Sequence, residues 1–206
     1  KKRCDNIDLD DTSSLIYTSG TTGRSKAVMV PWHHLTSSLQ SGMFPRDRLS
    51  DMRLYSPYPV FHITGKAGFY YAAVFGNPSI IREAFTPSEF WTDIRNYQAN
   101  GNILLGPLAQ MILDLPPQPD DAVNPMQTVV MAPVIPDVEA FRQRFDLDVF
   151  TTFNMTEINC PVISAPTLCN AQNYRSCGKV RDGVEVRIVD DNDIEVPPNT
   201  PGEMIV

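Results

Sequence analysis

From about position 52 the chain alternates short β-branched, apolar runs with segments whose apolar residues recur at helical spacing. Arg53–Ser56, Ser79–Ile81, Asn102–Leu105, Thr128–Met131 and Asp148–Thr151 predict strands. The clearest helix opens at Thr86-Pro87-Ser88-Glu89. There Thr86 serves as cap, Pro87 suits the first helical position and Glu89 completes a capping box. Phe90, Ile94 and Tyr97 then share one face, and Gly101 marks the stop. Further helices are predicted from Pro107 and from Pro136-Asp137, the latter with Phe141 and Phe145 on its apolar side. This alternation predicts βαβ units in an α/β fold, a mostly parallel sheet with covering helices. After about Asn170 the pattern changes. Val184–Val189 alternates as a half-buried strand, Asp190–Asp193 supplies a turn, and Pro197-Pro198 leads to a last strand near Met204–Val206. The expected division is an α/β core over residues 1–170, incomplete on its N-terminal side, and the start of an antiparallel β-rich subdomain over 171–206.

A chain of 206 residues, 42% hydrophobic and 20% charged, can bury a sizeable core and has the composition of a globular protein. Its net charge of -7 argues against a nucleic-acid-binding surface, which needs clustered Lys and Arg. No apolar run approaches the ~20 residues of a membrane-spanning helix. Lys1-Lys2-Arg3-Cys4 is not followed by the apolar stretch of a secretory leader. Cys4, Cys160, Cys169 and Cys177 form no CxxC pair, so reduced thiols of a cytoplasmic protein are expected. The chain starts without Met and stops inside the apolar run Glu203–Val206, as a piece cut from something longer would.

Candidate chemistry begins at Leu15–Val28, where an apolar run enters a loop of hydroxyl and glycine residues, then a lysine, then a second apolar run. Polyphosphate suits such a loop. Gly20 and Gly23 let the backbone approach closely and turn N–H groups inward. Ser19, Thr21 and Thr22 add short donors, and Lys26 adds a point charge. The spacing is not that of a Walker A loop, since Gly20 and Gly23 stand three apart and Lys26 three further on. Pro59-Val60-Phe61-His62 follows a predicted strand; His62 is a candidate site residue or, alternatively, a capped histidine at a helix start. Thr151–Glu157 also follows a predicted strand, at the carboxyl edge where parallel sheets place ligands. Its Thr156-Glu157 pair sets a hydroxyl beside a carboxylate, or is a capping box ahead of a helix.

These segments, in this order, resemble the signatures of the adenylate-forming superfamily of acyl-CoA synthetases, luciferase-like enzymes and peptide-synthetase adenylation domains. Ser25 and Ala27 stand where that family usually has Pro and Gly. The resemblance implies that Thr18, Ser19, Gly20, Thr21, Thr22, Gly23 and Lys26 gather the ATP phosphates. It implies that His62 lies beside the acyl pocket and the thiol tunnel, Phe153 packs on adenine, Thr156 contacts phosphate and Glu157 holds Mg2+. His62, Thr156, Glu157 and Lys26 are thus the expected catalytic set. Asn154 takes the place of a family glycine, where its tolerance of left-handed backbone is expected to preserve the turn. Ala132 and Pro133 match a family segment on the adenine side, while Val130 and Met131 put bulk where glycines are usual. Tyr174–Lys179 and Pro201–Val206 resemble later family segments, so the likeness spans nearly the whole chain. Pro59–His62, Phe90–Ile94 and Phe153–Glu157 look most like the carnitine/crotonobetaine CoA ligase group.

The implied activity is an acyl-CoA ligase using ATP, Mg2+, CoA and a small carboxylic acid, with the family's ribose-binding aspartate and downstream lysine expected beyond Val206. The chain alone is therefore expected to be inactive. An adenylation domain loading a carrier-protein thiol and a non-catalytic nucleotide-binding module are the alternatives. The acid and the oligomeric state are not legible.

Overall fold

A computed structural model describes residues 7–18, 24–40, 43–164, 170 and 172–206, the side chains of 38–40 excepted. Strands β1 (Thr12–Thr18) and β2 (Lys26–Pro31) form an antiparallel hairpin that runs directly into α1 (Trp32–Gln40). Next come β3 (Leu54–Ser56), α2 (Ile63–Phe75), β4 (Ser79–Ile81), α3 (Phe90–Tyr97), β5 (Gly101–Leu105) and α4 (Gly106–Leu113). They are followed by β6 (Thr128–Ala132), α5 (Val138–Phe145), β7 (Asp148–Met155), β8 (Asn159–Ser164) and β9 (Lys179–Val180), then a hairpin of β10 (Arg187–Val189) and β11 (Glu203–Ile205).

One sheet of seven strands carries the fold, in the order β4-β3-β5-β6-β7-β8-β9. Its first five strands pair in parallel, as the βαβ pattern predicts. β7 is the switch. Its first half pairs parallel with β6 and its second half antiparallel with β8, so antiparallel pairing begins before the period change near Asn170.

The buried strands are apolar on both faces because helices cover both. Val129, Met131, Val149, Leu104 and Tyr55 join Phe90, Trp91 and Ile94 of α3, Ala109 and Ile112 of α4, and Phe141 and Phe145 of α5 in one cluster. The alternate positions Val130, Phe150 and Leu54 pack with Tyr71 of α2, Phe44 and Met52 on the other face. Each large apolar side chain so buried contributes about 1.5–3 kcal/mol. A third, small cluster of Ile16, Val30 and Leu35 joins the hairpin to α1, with Ile63 and Tyr70 of α2 packed against it.

Several local expectations give way. Thr86 makes no capping bond, and Pro87–Glu89 is a single 3-10 turn ahead of α3. Glu89 instead meets Arg82 at 2.7 Å, leaving nothing to complete the box. The helix ends in a left-handed Gln98 (φ 53°), and Gly101 opens β5, where a Cβ would meet the Met52 sulfur at 2.6 Å. Trp91 takes the buried place beside Phe90 and Ile94, while Tyr97 in the last turn is 50% exposed. The alternating run 184–189 forms a strand only over Arg187–Val189.

Candidate active site

The carboxyl ends of β5, β6 and β7 converge on one cavity of about 310 Å³, which α1, β8 and the start of α2 complete. This is where an open parallel sheet places ligands. Leu105 and Ala132 end β5 and β6, and Asn154, Met155 and Thr156 follow along β7 into its turn. α2 contributes Ile63, Ala67 and Tyr70, spaced four and three apart so that they share one helix face. α1 contributes His34 and Leu35, and β8 contributes Asn159 and Cys160.

His62 is both the cap and the wall. Its Nδ1 accepts from the Thr64 amide at 3.1 Å at the start of α2, and the ring lines the cavity. With Nδ1 occupied as an acceptor, the neutral ring carries its proton on Nε2. The residue as a whole is exposed, yet partial desolvation of the imidazole holds it below its ordinary 6.5 and keeps it neutral. The segment before it is pinned by Tyr58, whose hydroxyl donates to the Ile103 carbonyl at 2.8 Å and accepts from the Leu105 amide at 3.3 Å. Gly65 permits the tight entry to α2, since a Cβ there would meet the Pro59 carbonyl oxygen at 2.0 Å.

His62, Ala132, Asn154 and Thr156 are thus brought to one cavity. Pro133, Phe153, Glu157, Thr18 and Lys26 lie outside its walls. Ala132 and Pro133 are joined by a cis peptide, and Gly106 lets α4 approach them, a Cβ there falling 2.5 Å from the Pro133 carbonyl oxygen. Val130 and Met131 do not crowd the cavity. They are fully buried on opposite faces of β6, one in each main cluster. Thr18 and Lys26 pair at the end of the β1–β2 ladder that the segment 19–25 connects. Ser19, Gly20, Thr21, Thr22 and Gly23 lie outside the described residues.

Thr156 and Glu157 occupy the turn between β7 and β8 and do not begin a helix, which removes the capping-box alternative. Thr156 is buried and Glu157 exposed. Among the described residues no three His, Cys, Asp or Glu are grouped to hold a metal. A lone exposed carboxylate fits magnesium, which keeps several waters and takes its other ligands from substrate phosphates. Asn154 does not take a left-handed backbone; Asn159 does, with φ 65°. Its side-chain amide donates to the His34 carbonyl at 2.9 Å and the Ser37 hydroxyl at 2.7 Å. Asn159 therefore ties the β7–β8 turn to the helix that follows the β1–β2 hairpin.

Sequence reasoning missed Asn159, His34, Tyr70 and Cys160. The signal for Tyr70 was present in the Ile63, Ala67, Tyr70 spacing after His62. His34 is buried, and desolvation, with smaller contributions from His33 and Arg181, lowers its pKa. Thr152 donates to the Val162 carbonyl at 2.8 Å and lies 3.0 Å from the Cys160 sulfur. Burial raises the Cys160 pKa despite that contact, so the thiol is neutral. No helix among the described residues is long and apolar enough to cross a membrane.

A cavity at the carboxyl edge of a mostly parallel sheet, beside the strand where pairing changes from parallel to antiparallel, defines an α/β protein with its candidate ligand site at the sheet edge. The chain belongs to the family of AMP-binding enzymes, whose match spans residues 1–206. It is 30% identical to peroxisomal OPC-8:0-CoA ligase 1 of Arabidopsis thaliana, over 89% of this chain and 35% of the ligase. It is 24% identical to crotonobetaine/carnitine–CoA ligase of Salmonella paratyphi B, over 97% of this chain and 39% of that protein. The same fold is seen in O-succinylbenzoate coenzyme A synthetase of Bacillus subtilis in complex with ATP and magnesium ion. That match has a TM-score of 0.81 at 24% identity and covers 96% of this chain and 41% of the synthetase. The chain spans under two fifths of the length of these curated ligases.

Proposed function

We propose that this chain forms the phosphate- and acid-binding part of an acyl-CoA ligase. Residues 1–170 belong to its AMP-binding core, and 171–206 begin a β-rich subdomain. A carboxylate oxygen attacks the α-phosphorus of ATP and pyrophosphate leaves, giving an acyl-adenylate; the CoA thiolate then attacks the acyl carbonyl and AMP leaves. The residues act by positioning and charge stabilisation. Thr18 to Lys26 gather the phosphates, Thr156 donates to phosphate, and Phe153 with Ala132, Pro133 and Asn154 bounds the adenine. His62 stands beside the acid and the path of the thiol. Glu157 is the carboxylate that would hold magnesium, which when bound offsets part of the triphosphate charge.

The observation that supports this reading is that His62, Ala132 and the pair Asn154 and Thr156, from three separate segments of the chain, line one cavity. The crotonobetaine/carnitine and OPC-8:0 relatives are ligases that form CoA thioesters, which favours CoA over a carrier-protein thiol. Turnover is assigned to the full-length protein, in the cytoplasm, and not to this chain alone. The test is ATP–pyrophosphate exchange by the full-length protein over a panel of carboxylic acids, followed by detection of the CoA thioester. Acid-dependent exchange is expected, and its absence across the panel overturns the reading.

A further inference from the structure

A positive charge acts on the buried end of the cavity, where Cys160 and His34 are 2% and 8% exposed. β9 pairs with β8 so that Val180 stands opposite Val162, and the Arg181 amide donates to the Pro161 carbonyl at 3.0 Å. This fixes the Arg181 backbone beside the residue that follows Cys160. Arg181 is half-buried, and its Nε is buried with no hydrogen-bond partner among the described residues. None of the ion pairs among the described residues includes Arg181, and its neighbour Asp182 is exposed.

Both wall residues feel that charge. Burial lowers the His34 pKa, and His33 and Arg181 push it the same way. Burial raises the Cys160 pKa, with Thr152 and Arg181 working against it. The imidazole and the thiol are therefore neutral and leave the guanidinium charge without an offset at this wall. The Thr152 hydroxyl is committed to the Val162 carbonyl, and the Asn159 amide to the His34 carbonyl and the Ser37 hydroxyl. A partly buried guanidinium without an anion is costly, and an anion that arrives with the substrate relieves that cost.

We infer that Arg181 sets the charge specificity of the acid site, favouring an acid that carries a second carboxylate at its far end and disfavouring one that carries a cation there. The reacting carboxylate stays at the exposed end beside His62 and Asn154, and the tail passes the face of Ile63, Ala67 and Tyr70 towards Cys160 and His34. A fixed charge attracts one sign and repels the other at the same distance, so the preference is read as a ratio between two acids. The inference rests on the ligase reading of the same cavity.

The experiment is pyrophosphate exchange by the full-length protein with three sets of acids of matched length: ω-carboxylate, unsubstituted and ω-trimethylammonium. The ω-carboxylate acids are expected to lead the ω-trimethylammonium acids by about 100-fold or more in kcat/KM, with the unsubstituted acids between them. Arg181→Met is expected to bring the two charged sets within about tenfold of each other, and Arg181→Lys to keep most of the wild-type ratio. A merely structural role lowers all three sets together and leaves the ratio in Arg181→Met as it was, which overturns the inference. A wild-type ratio within about tenfold, or one that favours the cation, overturns it without recourse to any variant and leaves the ligase reading standing. A lack of acid-dependent exchange across all three sets overturns the ligase reading and this inference together.

Discussion

Thr18 and Lys26 face each other as the last pair of the β1–β2 ladder, so the ends of the glycine- and hydroxyl-rich segment between them sit on adjacent strands. Across an antiparallel pair this brings their Cα atoms within about 4.5–5.5 Å. The lysine is thus rooted at the mouth of the segment rather than remote from it. Lys26 is exposed, so its side chain adds little to packing. Lys26→Ala in the full-length enzyme is expected to raise KM for ATP and slow adenylation by about 10- to 100-fold, with Tm nearly unchanged. Exchange kinetics at several ATP concentrations check this; unaltered kinetics remove Lys26 from the phosphate site.

Asn159 couples that region to the β7–β8 turn. Asn159→Ala loses two side-chain hydrogen bonds and forces alanine into a left-handed backbone. The combined cost is expected to be about 2–4 kcal/mol. For a domain of this size each kcal/mol lowers Tm by about 2–4 °C. Because the turn carries Thr156 and Glu157, adenylation is expected to fall as well. Asn159→Asp retains tolerance of the left-handed region but not the donors, and is expected to fall between. Melting curves and exchange rates of both variants check the order.

The parallel half of the sheet was legible because βαβ units leave a two-period signal, and β5 and β6 are apolar on both faces. Helix ends were less legible because capping depends on which partner wins a side chain: Arg82 takes Glu89, and Gln98 accepts the left-handed position assigned to Gly101. Of the candidate residues that the motifs carry, His62, Ala132, Asn154 and Thr156 line one cavity, whereas Pro133, Phe153, Glu157, Thr18 and Lys26 lie outside it. Those that tertiary packing recruits, such as His34 and Cys160, leave no local pattern to find. Asn154 shows the same limit. Replacing a family glycine by Asn suggested a left-handed residue there, whereas the turn places it at Asn159 after a register shift in the β7–β8 ladder.

The pH dependence of stability follows from the two lowered histidines. His34 titrates at 6.5 when unfolded and lower when folded, because burial, with His33 and Arg181, disfavours its charge. Between those values the unfolded state binds more protons, so stability falls as pH drops through the window and is flat above it. His62 has the same sign but is more exposed, and contributes less. The Tm is expected to be lower near about pH 5.5 than near about pH 7.5, and His34→Gln is expected to flatten that difference. Melting curves across this range check it; an undiminished slope in the variant excludes His34 as the source.

Glu157 carries the sharpest test of the proposed chemistry. It sits exposed at the tip of the β7–β8 turn, one residue after buried Thr156, and makes no contribution to either core cluster. Removing its charge should therefore leave the fold intact. ATP brings several negative charges close to a carboxylate nucleophile, and that approach is costly unless part of the charge is offset. If Glu157 holds the ion that does this, Glu157→Gln lowers kcat for adenylation on the order of 10²-fold or more, a few kcal/mol of barrier. The amide retains a neutral oxygen ligand, so raised magnesium should restore part of the rate. A structural role predicts a different pattern, a lowered Tm with no response to magnesium. Pyrophosphate exchange by the full-length variant over a magnesium series, with melting curves alongside, separates the two. Wild-type rates in Glu157→Gln at every magnesium level would remove Glu157 from the metal site.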